Sequence, residues 1–394
     1  VGTAEQPLGW LDGALEALER DDLLRTLRHH RSGAEPWLEL ATDPPRRVLH
    51  LCSNGYLGLA THPEVVEAAV SATRAYGAGT GSARLITGAQ QPHRDLEHEL
   101  AAWKGTEDAL LFSCGYLANL GVLGALAGRG DTIVSDELNH ASIVDGCRLS
   151  RAEVRIYRHG DAEHAAALLA DAPGRRVLVT DGVFSMDGDL APLPDLCDAA
   201  QRHGAAVVVD DAHGSGVLGP DGRGTAAALG CEDRVDALVA TLSKSLGSQG
   251  GYVAGSSRLV AWLRNRARGF VFDTSSAPAA VAAARAALGV ARAEPWRRAT
   301  ALHRARQLAE GLRAAGWQVP RAMTPIVPVT VGTSAAALAL MERLLAYDVL
   351  AVAIRPPTVP SGTARVRATT LATHTEQDVG HALAAFGAAQ ELAA

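Results

Sequence analysis

The chain has 394 residues, 47% of them hydrophobic and 20% charged, with 40 glycines and 18 prolines. That is too little Gly and Pro for a low-complexity or collagen-like chain, and enough length to bury a large core in two packed domains. A net charge of −6 argues against a nucleic-acid binder, which needs clustered positive charge, and no apolar run approaches the ~18–20 residues of a membrane span.

In chain order, the segment Val1–Asp22 is acidic (Glu5, Asp12, Glu16, Glu19, Asp21, Asp22) and spaces Leu11, Ala14, Leu15 and Leu18 as one helical face. It predicts a solvated amphipathic helix; a signal peptide would begin basic and turn apolar. Pro63–Tyr76 and Gln91–Lys104 predict two further helices, stopped by Gly77–Gly81 and by Gly105. Lys104 is placed on a polar helix face. Short apolar runs then predict buried strands at Ala109–Phe112, Thr132–Ser135, Val154–Tyr157, Val177–Thr180, Ala206–Asp210, Ala237–Thr241 and Tyr252–Ala254. Helical stretches at Leu117–Leu126, Ala162–Ala170 and Leu193–His203 lie between several of them, the pattern of a mostly parallel sheet covered on both faces. Beyond about residue 292, helices at Trp296–Ala315, Ala335–Tyr347 and Glu376–Leu392 flank strands at Ile326–Val331, Leu350–Ile354 and Arg365–Thr370. The expected fold class is α/β, divided into an N-terminal helical arm (1–58), a large domain (59–292) and a smaller C-terminal α+β domain (293–394).

The five cysteines (Cys52, Cys114, Cys147, Cys197, Cys231) form no C-x-x-C pair and read as reduced thiols of a cytoplasmic protein. The fourteen histidines show no H-E-x-x-H spacing, so no catalytic metal is expected. GAGTG at 77–81 follows a helix and lacks the strand a dinucleotide loop requires. Of the 37 basic residues besides histidine only Lys104 and Lys244 are lysines, so chemistry on an amine has two candidates.

Ligands of open α/β sheets bind outside the carboxyl ends of the strands. There AAVVVDDAHGSG (205–216) empties an apolar strand into two carboxylates and a histidine. DALVATLSKSLGSQGG (236–251) sets Lys244 among hydroxyls and glycines that suit a phosphate. Asp210 and Asp211 alone read as a strand end and a turn cap. With a partly desolvated lysine on the next strand, they supply the parts of a pyridoxal phosphate site: an amine for the aldehyde and a carboxylate for the pyridine nitrogen. His213, Ser185 and His140 follow or neighbour other strands and are placed around the ring.

The chain resembles the α-oxoamine synthases, fold-type I pyridoxal phosphate enzymes, over nearly its whole length. The resemblance runs through SNGYLGL (53–59), GSARLITG (81–88), SCGYLAN (113–119), NHAS (139–142), GVFSMDGD (182–189), VDDAHGSG (209–216) and Thr241–Gly251. It implies that Lys244 binds the cofactor aldehyde, Asp210 pairs with the pyridine nitrogen, His213 and Ser185 bond the ring hydroxyl, and His140 stacks on the ring. Cys114, Gly115, Tyr116 and Thr241 are implied at the phosphate, and Thr274 and Ser275 as residues given by a partner subunit in a homodimer with shared sites. Asn54 and Arg367 are implied at the amino-acid carboxylate, for which a guanidinium fork is suited. Arg28, with Arg31, is placed where it would meet a phosphate or a distal carboxylate; an ordinary exposed arginine is the other reading. Gly55 and Cys114 depart from the acidic residue and the serine common in the family.

IRPPTVPSGTARVR (354–367) points to the branch that condenses L-alanine with a pimeloyl thioester, on coenzyme A or an acyl carrier protein, for biotin biosynthesis. In that reaction Lys244 removes the alanine α-proton and carbon dioxide and free thiol leave. Other members, including one joining glycine to acetyl-CoA, secondary-metabolite relatives and aminotransferases stay open. A cofactor-binding regulator would need a basic DNA-binding appendage that the acidic N-terminal segment does not offer.

Overall fold

Apolar residues alternating at period two send successive side chains to opposite faces of a strand. In the computed structural model, which describes residues 7–391, they build three sheets. The strands are β1 (Trp37–Leu40), β2 (Arg46–His50), β3 (Asp108–Phe112), β4 (Thr132–Asp136), β5 (Glu153–Tyr157), β6 (Arg176–Asp181) and β7 (Ala205–Asp210), then β8 (Ala237–Thr241), β9 (Gly251–Gly255), β10 (Ile326–Gly332), β11 (Val349–Leu350), β12 (Val352–Ile354) and β13 (Ala364–Thr369). The main sheet has the order β3-β9-β8-β7-β6-β4-β5, with only β9 antiparallel to its neighbours. Six strands therefore end at one edge.

Leu178, Val207, Val209, Leu238 and Leu111 face one apolar layer, built with the helices Gln91–Lys104 and Pro278–Ala293. Val177, Val179, Val208, Val239 and Leu110 face the other, built with the helix Gly115–Leu126. This is the doubly covered sheet expected. A third core joins the helices Trp296–Ala314, Ser334–Ala346 and Glu376–Glu391 to the sheet β10-β13-β12.

Three expectations are corrected. The arm is helical only at Trp10–Arg20; β1 and β2 form a sheet with β11, so this segment packs on the C-terminal part of the chain. Arg46, Val48 and His50 alternate with Arg47 and Leu49, a strand pattern masked by the charged start. Lys104 is not on a polar face: its side chain is 0% exposed. The foreseen strand at Leu350–Ile354 is two short strands in different sheets, and the helices Ala141–Ser150, Ser257–Arg266 and Pro278–Ala293 were not foreseen. Residues 1–6, with Glu5 of the foreseen first helix, and the foreseen helix end at Leu392 lie outside the described residues. No helix among the described residues is long and apolar enough to cross a membrane.

The turn Gly182–Asp189, which follows β6, is tied to the end of β4 by His159. Its Nδ1 lies 3.1 Å from Asp136 Oδ1 and its Nε2 2.9 Å from Asp189 Oδ2, and the two carboxylate hydrogen bonds raise its pKa to about 10. An imidazole with a folded value above its unfolded ~6.5 contributes stability that is complete below the unfolded value and is lost as pH climbs toward the folded one. Thermal melts should therefore show a gap between the native protein and His159→Gln that is widest near about pH 6 and closes by about pH 10. A gap independent of pH would contradict the charged clamp.

Candidate active site

Asp210 closes β7, buried, on the face that carries the helix Gly115–Leu126. From that helix Asn119, one turn beyond Gly115, donates Nδ2 to Asp210 Oδ2 at 2.6 Å, and the backbone N–H of Ala212 donates to Oδ1 at 2.9 Å. In register on β6 stands Asp181, whose burial and proximity to Asp210 push its pKa well above the usual carboxylate range. Two carboxylates this close in a dry site do not both ionise readily.

Lys244, three residues past the end of β8, is half-buried, and its Nζ lies 3.0 Å from His213 Nε2. Burial lowers the lysine pKa, while Asp210 and Asp181 partly restore it. His213 is held well below its ordinary value by burial and then by Lys244 and Arg367, so it is a neutral imidazole. Its Nδ1 lies 2.6 Å from the buried Tyr56 hydroxyl. Arg367, on β13, donates Nη2 to Asn54 Oδ1 at 3.0 Å and to the Tyr56 oxygen at 3.4 Å, and Nε to the Ser185 carbonyl at 2.6 Å. One continuous chain thus runs from the guanidinium through the phenol and the imidazole to the amine.

His140 caps the helix Ala141–Ser150, its Nδ1 2.7 Å from Ser142 Oγ, and its backbone N–H donates to Asp181 Oδ2 at 2.7 Å. Desolvation of its ring lowers its pKa. With Ser185 it lines a cleft of about 980 Å³ whose far wall is Pro356–Ser361, Thr363 and Arg365.

Cys114 is the N-cap of the helix Gly115–Leu126 but makes no side-chain cap bond, so no side chain there answers the first N–H groups. A Cβ on Gly115 would come within 3.3 Å of Thr241 Cβ, and one on Gly251 within 2.5 Å of the Cys114–Gly115 peptide. The helix start, Thr241 and β9 are thus packed as a bare-backbone cup of the kind that holds a phosphate. Thr241 Oγ1 donates to the Gly250 carbonyl at 2.9 Å, and the Tyr116 hydroxyl is engaged by Asp145.

Three implied residues lie outside this cluster. Thr274 bridges to Ala83, while Ser275 bonds Ser82 through its N–H and His93 through its hydroxyl (2.9 Å), in the same chain. Arg28 is ion-paired with Glu342. None of the three shares a hydrogen bond with Lys244, His213 or Asp210 among the described residues. Conversely, Tyr56, Asn119 and Asp181 belong to the cluster without having been assigned a role from sequence. The spacing of Asn119 from Gly115 was the available signal for one of them.

Residues 46–386 match the family model for aminotransferase class I and II. An 8-amino-7-oxononanoate synthase from Anaeromyxobacter dehalogenans is 50% identical over 386 residues, 98% of this chain and 96% of that one. The chain belongs to the 8-amino-7-oxononanoate synthase family. Among solved structures, a serine palmitoyltransferase from S. paucimobilis with a bound PLP–myriocin aldimine matches at a TM-score of 0.93, with 31% identity over 98% of this chain and 99% of that one. An 8-amino-7-oxononanoate synthase from Francisella tularensis matches at 0.75, with 25% identity over 88% and 98%. These likenesses bear out the fold-type I expectation. Pyridoxal phosphate, the family's cofactor, fits the residues present: a desolvated amine beside a buried carboxylate, and a helix start free of side-chain caps.

Tyr56→Phe keeps the ring and deletes the hydroxyl that answers His213 Nδ1 and Arg367. An unanswered buried polar atom costs about 1–3 kcal/mol. The expected result is a stability loss of that order in denaturant unfolding together with weaker binding of L-alanine, measured by calorimetry. Unchanged values in both would remove Tyr56 from the chain of contacts.

Proposed function

We propose that this protein is a pyridoxal-phosphate-dependent C-acyltransferase that condenses L-alanine with a pimeloyl thioester. The products are 8-amino-7-oxononanoate, carbon dioxide and the free thiol of coenzyme A or a carrier protein, in biotin biosynthesis. The observation that carries the reading is the Asp210–Lys244–His213–Arg367 constellation, found in a chain half identical to a synthase of that name.

When bound, pyridoxal phosphate supplies an aldehyde for the amine and an electron sink for the substrate carbon. Lys244 would hold that aldehyde. Asp210, kept in place by Asn119, would keep a proton on the ring nitrogen. His140 would stack on the ring, and Ser185 and His213 would bond its hydroxyl. Cys114, Gly115, Tyr116 and Thr241 would receive the phosphate.

Arg367 and Asn54 would take the alanine carboxylate, fixing the α-carbon toward Lys244. With its pKa lowered by burial, Lys244 Nζ is suited to take the α-proton, and His213 Nε2, 3.0 Å away, orients its lone pair. The acyl chain would lie in the cleft between His140 and Pro356–Ser361, with Arg28 outside it at the surface. Thr274 and Ser275, which stay apart from Lys244 in their own chain, are read as residues for a second copy's site in a homodimer. We read the chain as cytoplasmic and divided at about 58 and 292.

Incubation with pyridoxal phosphate, L-alanine and pimeloyl-CoA should yield the amino-ketone by mass spectrometry. Product only from L-serine and palmitoyl-CoA, or from glycine and acetyl-CoA, would overturn the substrate assignment. Lys244→Ala should abolish the visible absorbance of the loaded protein.

A further inference from the structure

The second lysine stands behind the turn that carries His213 and is more deeply buried than the first. Lys104 ends its helix with a fully buried side chain whose three N–H groups meet three acceptors: Ser215 Oγ at 2.7 Å, Asp211 Oδ2 at 3.4 Å and the Arg223 carbonyl. Asp211 is 1% exposed at its side chain and also accepts from Ser215 Oγ (2.9 Å), Thr225 Oγ1 (2.6 Å) and the Thr225 N–H (3.0 Å). The acceptors bracket the turn Asp211–Gly224, which contains His213. Its glycines are fitted to the carboxylate, since a Cβ on Gly214 or Gly224 would collide with it.

We propose that Lys104 and Asp211 are positioning residues: their ion pair closes the turn Asp211–Gly224 from behind and so sets His213 against Lys244. A compact ammonium matches this cage, whereas a planar guanidinium spreads five donors where three acceptors converge. The inference rests on the proposed function, because it concerns where His213 stands relative to the amine.

The test uses the full chain loaded with pyridoxal phosphate. The pH midpoint of its visible absorbance reports Lys244 among Asp210, Asp181, His140, His213 and Arg367. In Lys104→Met the Asp211 carboxylate is buried without its cation. The midpoint should shift, and kcat should fall about tenfold to a hundredfold with the KM for L-alanine nearly unchanged, the mark of a displaced reacting group. Lys104→Met/Asp211→Asn removes both charges and should regain part of that loss. Ser215→Ala keeps both charges and should shift the midpoint in the same direction by less. Should Lys104→Met fail to fold, native midpoint and kcat in Ser215→Ala would overturn the proposal by themselves. Folded variants with lowered melting temperatures but native midpoint and kcat would reduce the pair to a structural prop. A native protein that never develops the absorbance would instead overturn the functional reading, and the inference with it.

Discussion

Two consecutive aspartates at the end of one extended strand cannot face the same way, and the site follows from that constraint. Asp210 continues the face of Val208 and meets Asn119 of one helical layer; Asp211 continues the face of Val209 and meets Lys104 of the other. Each ion leaves water at a cost of several kcal/mol, recovered only where donors are already in place. Each helix contributes one such donor, Asn119 from one layer and Lys104 from the other. Layer packing and site assembly are therefore one event.

On the front face the charges are arranged so that little needs to change when a substrate arrives. Lys244 is depressed by desolvation, His213 is neutral, and Asp181 is pushed toward its protonated form by burial and then by Asp210 beside it. The guanidinium of Arg367 is fixed at three oxygens before any carboxylate reaches it. Prearranged groups need no reorganisation at the moment of proton transfer. The order of the contacts also links carboxylate recognition to the base: Arg367 touches Tyr56, Tyr56 touches His213, and His213 touches Lys244.

The sheet was legible in the sequence because most of its strands are buried on both faces and read as short apolar runs; the edge strand β5, expected to be buried, instead leaves Val154 and Ile156 exposed. The helices Pro63–Tyr76, Gln91–Lys104 and Ala162–Ala170 begin and end where their proline, glycine and apolar spacing place them. Strands β1 and β2 were not: β2 pairs on one side with β11, some 300 positions away, a contact that leaves no local period, and β1 is held as the hairpin partner of β2. Asp210, Lys244 and His213 could be picked out because strand order brings their segments together. Arg367 was placed only by the resemblance, and Tyr56 was missed, because both come from distant segments joined by tertiary packing. Lys104 was misread for a related reason: its polar neighbours in sequence suggested a wet face, and its true partners lie more than 100 residues away.

The scarcity of lysine sharpens the distinction between the two kinds of cation here. Arginines make surface pairs such as Arg158–Asp161 and Arg285–Glu99, where a long side chain in water contributes little and either cation would serve. They also tie β13 to the turn after β6, where Arg365 meets Asp187 and Arg367 meets the Ser185 carbonyl from alternate positions of the strand. At 104 and 244 an arginine would not serve. One place needs a compact donor that fills a three-acceptor cage; the other needs an amine whose proton can leave, and a guanidinium keeps its proton. In a chain otherwise supplied with arginine, lysine stands where geometry or acidity excludes the alternative, and both places flank the same pair of aspartates.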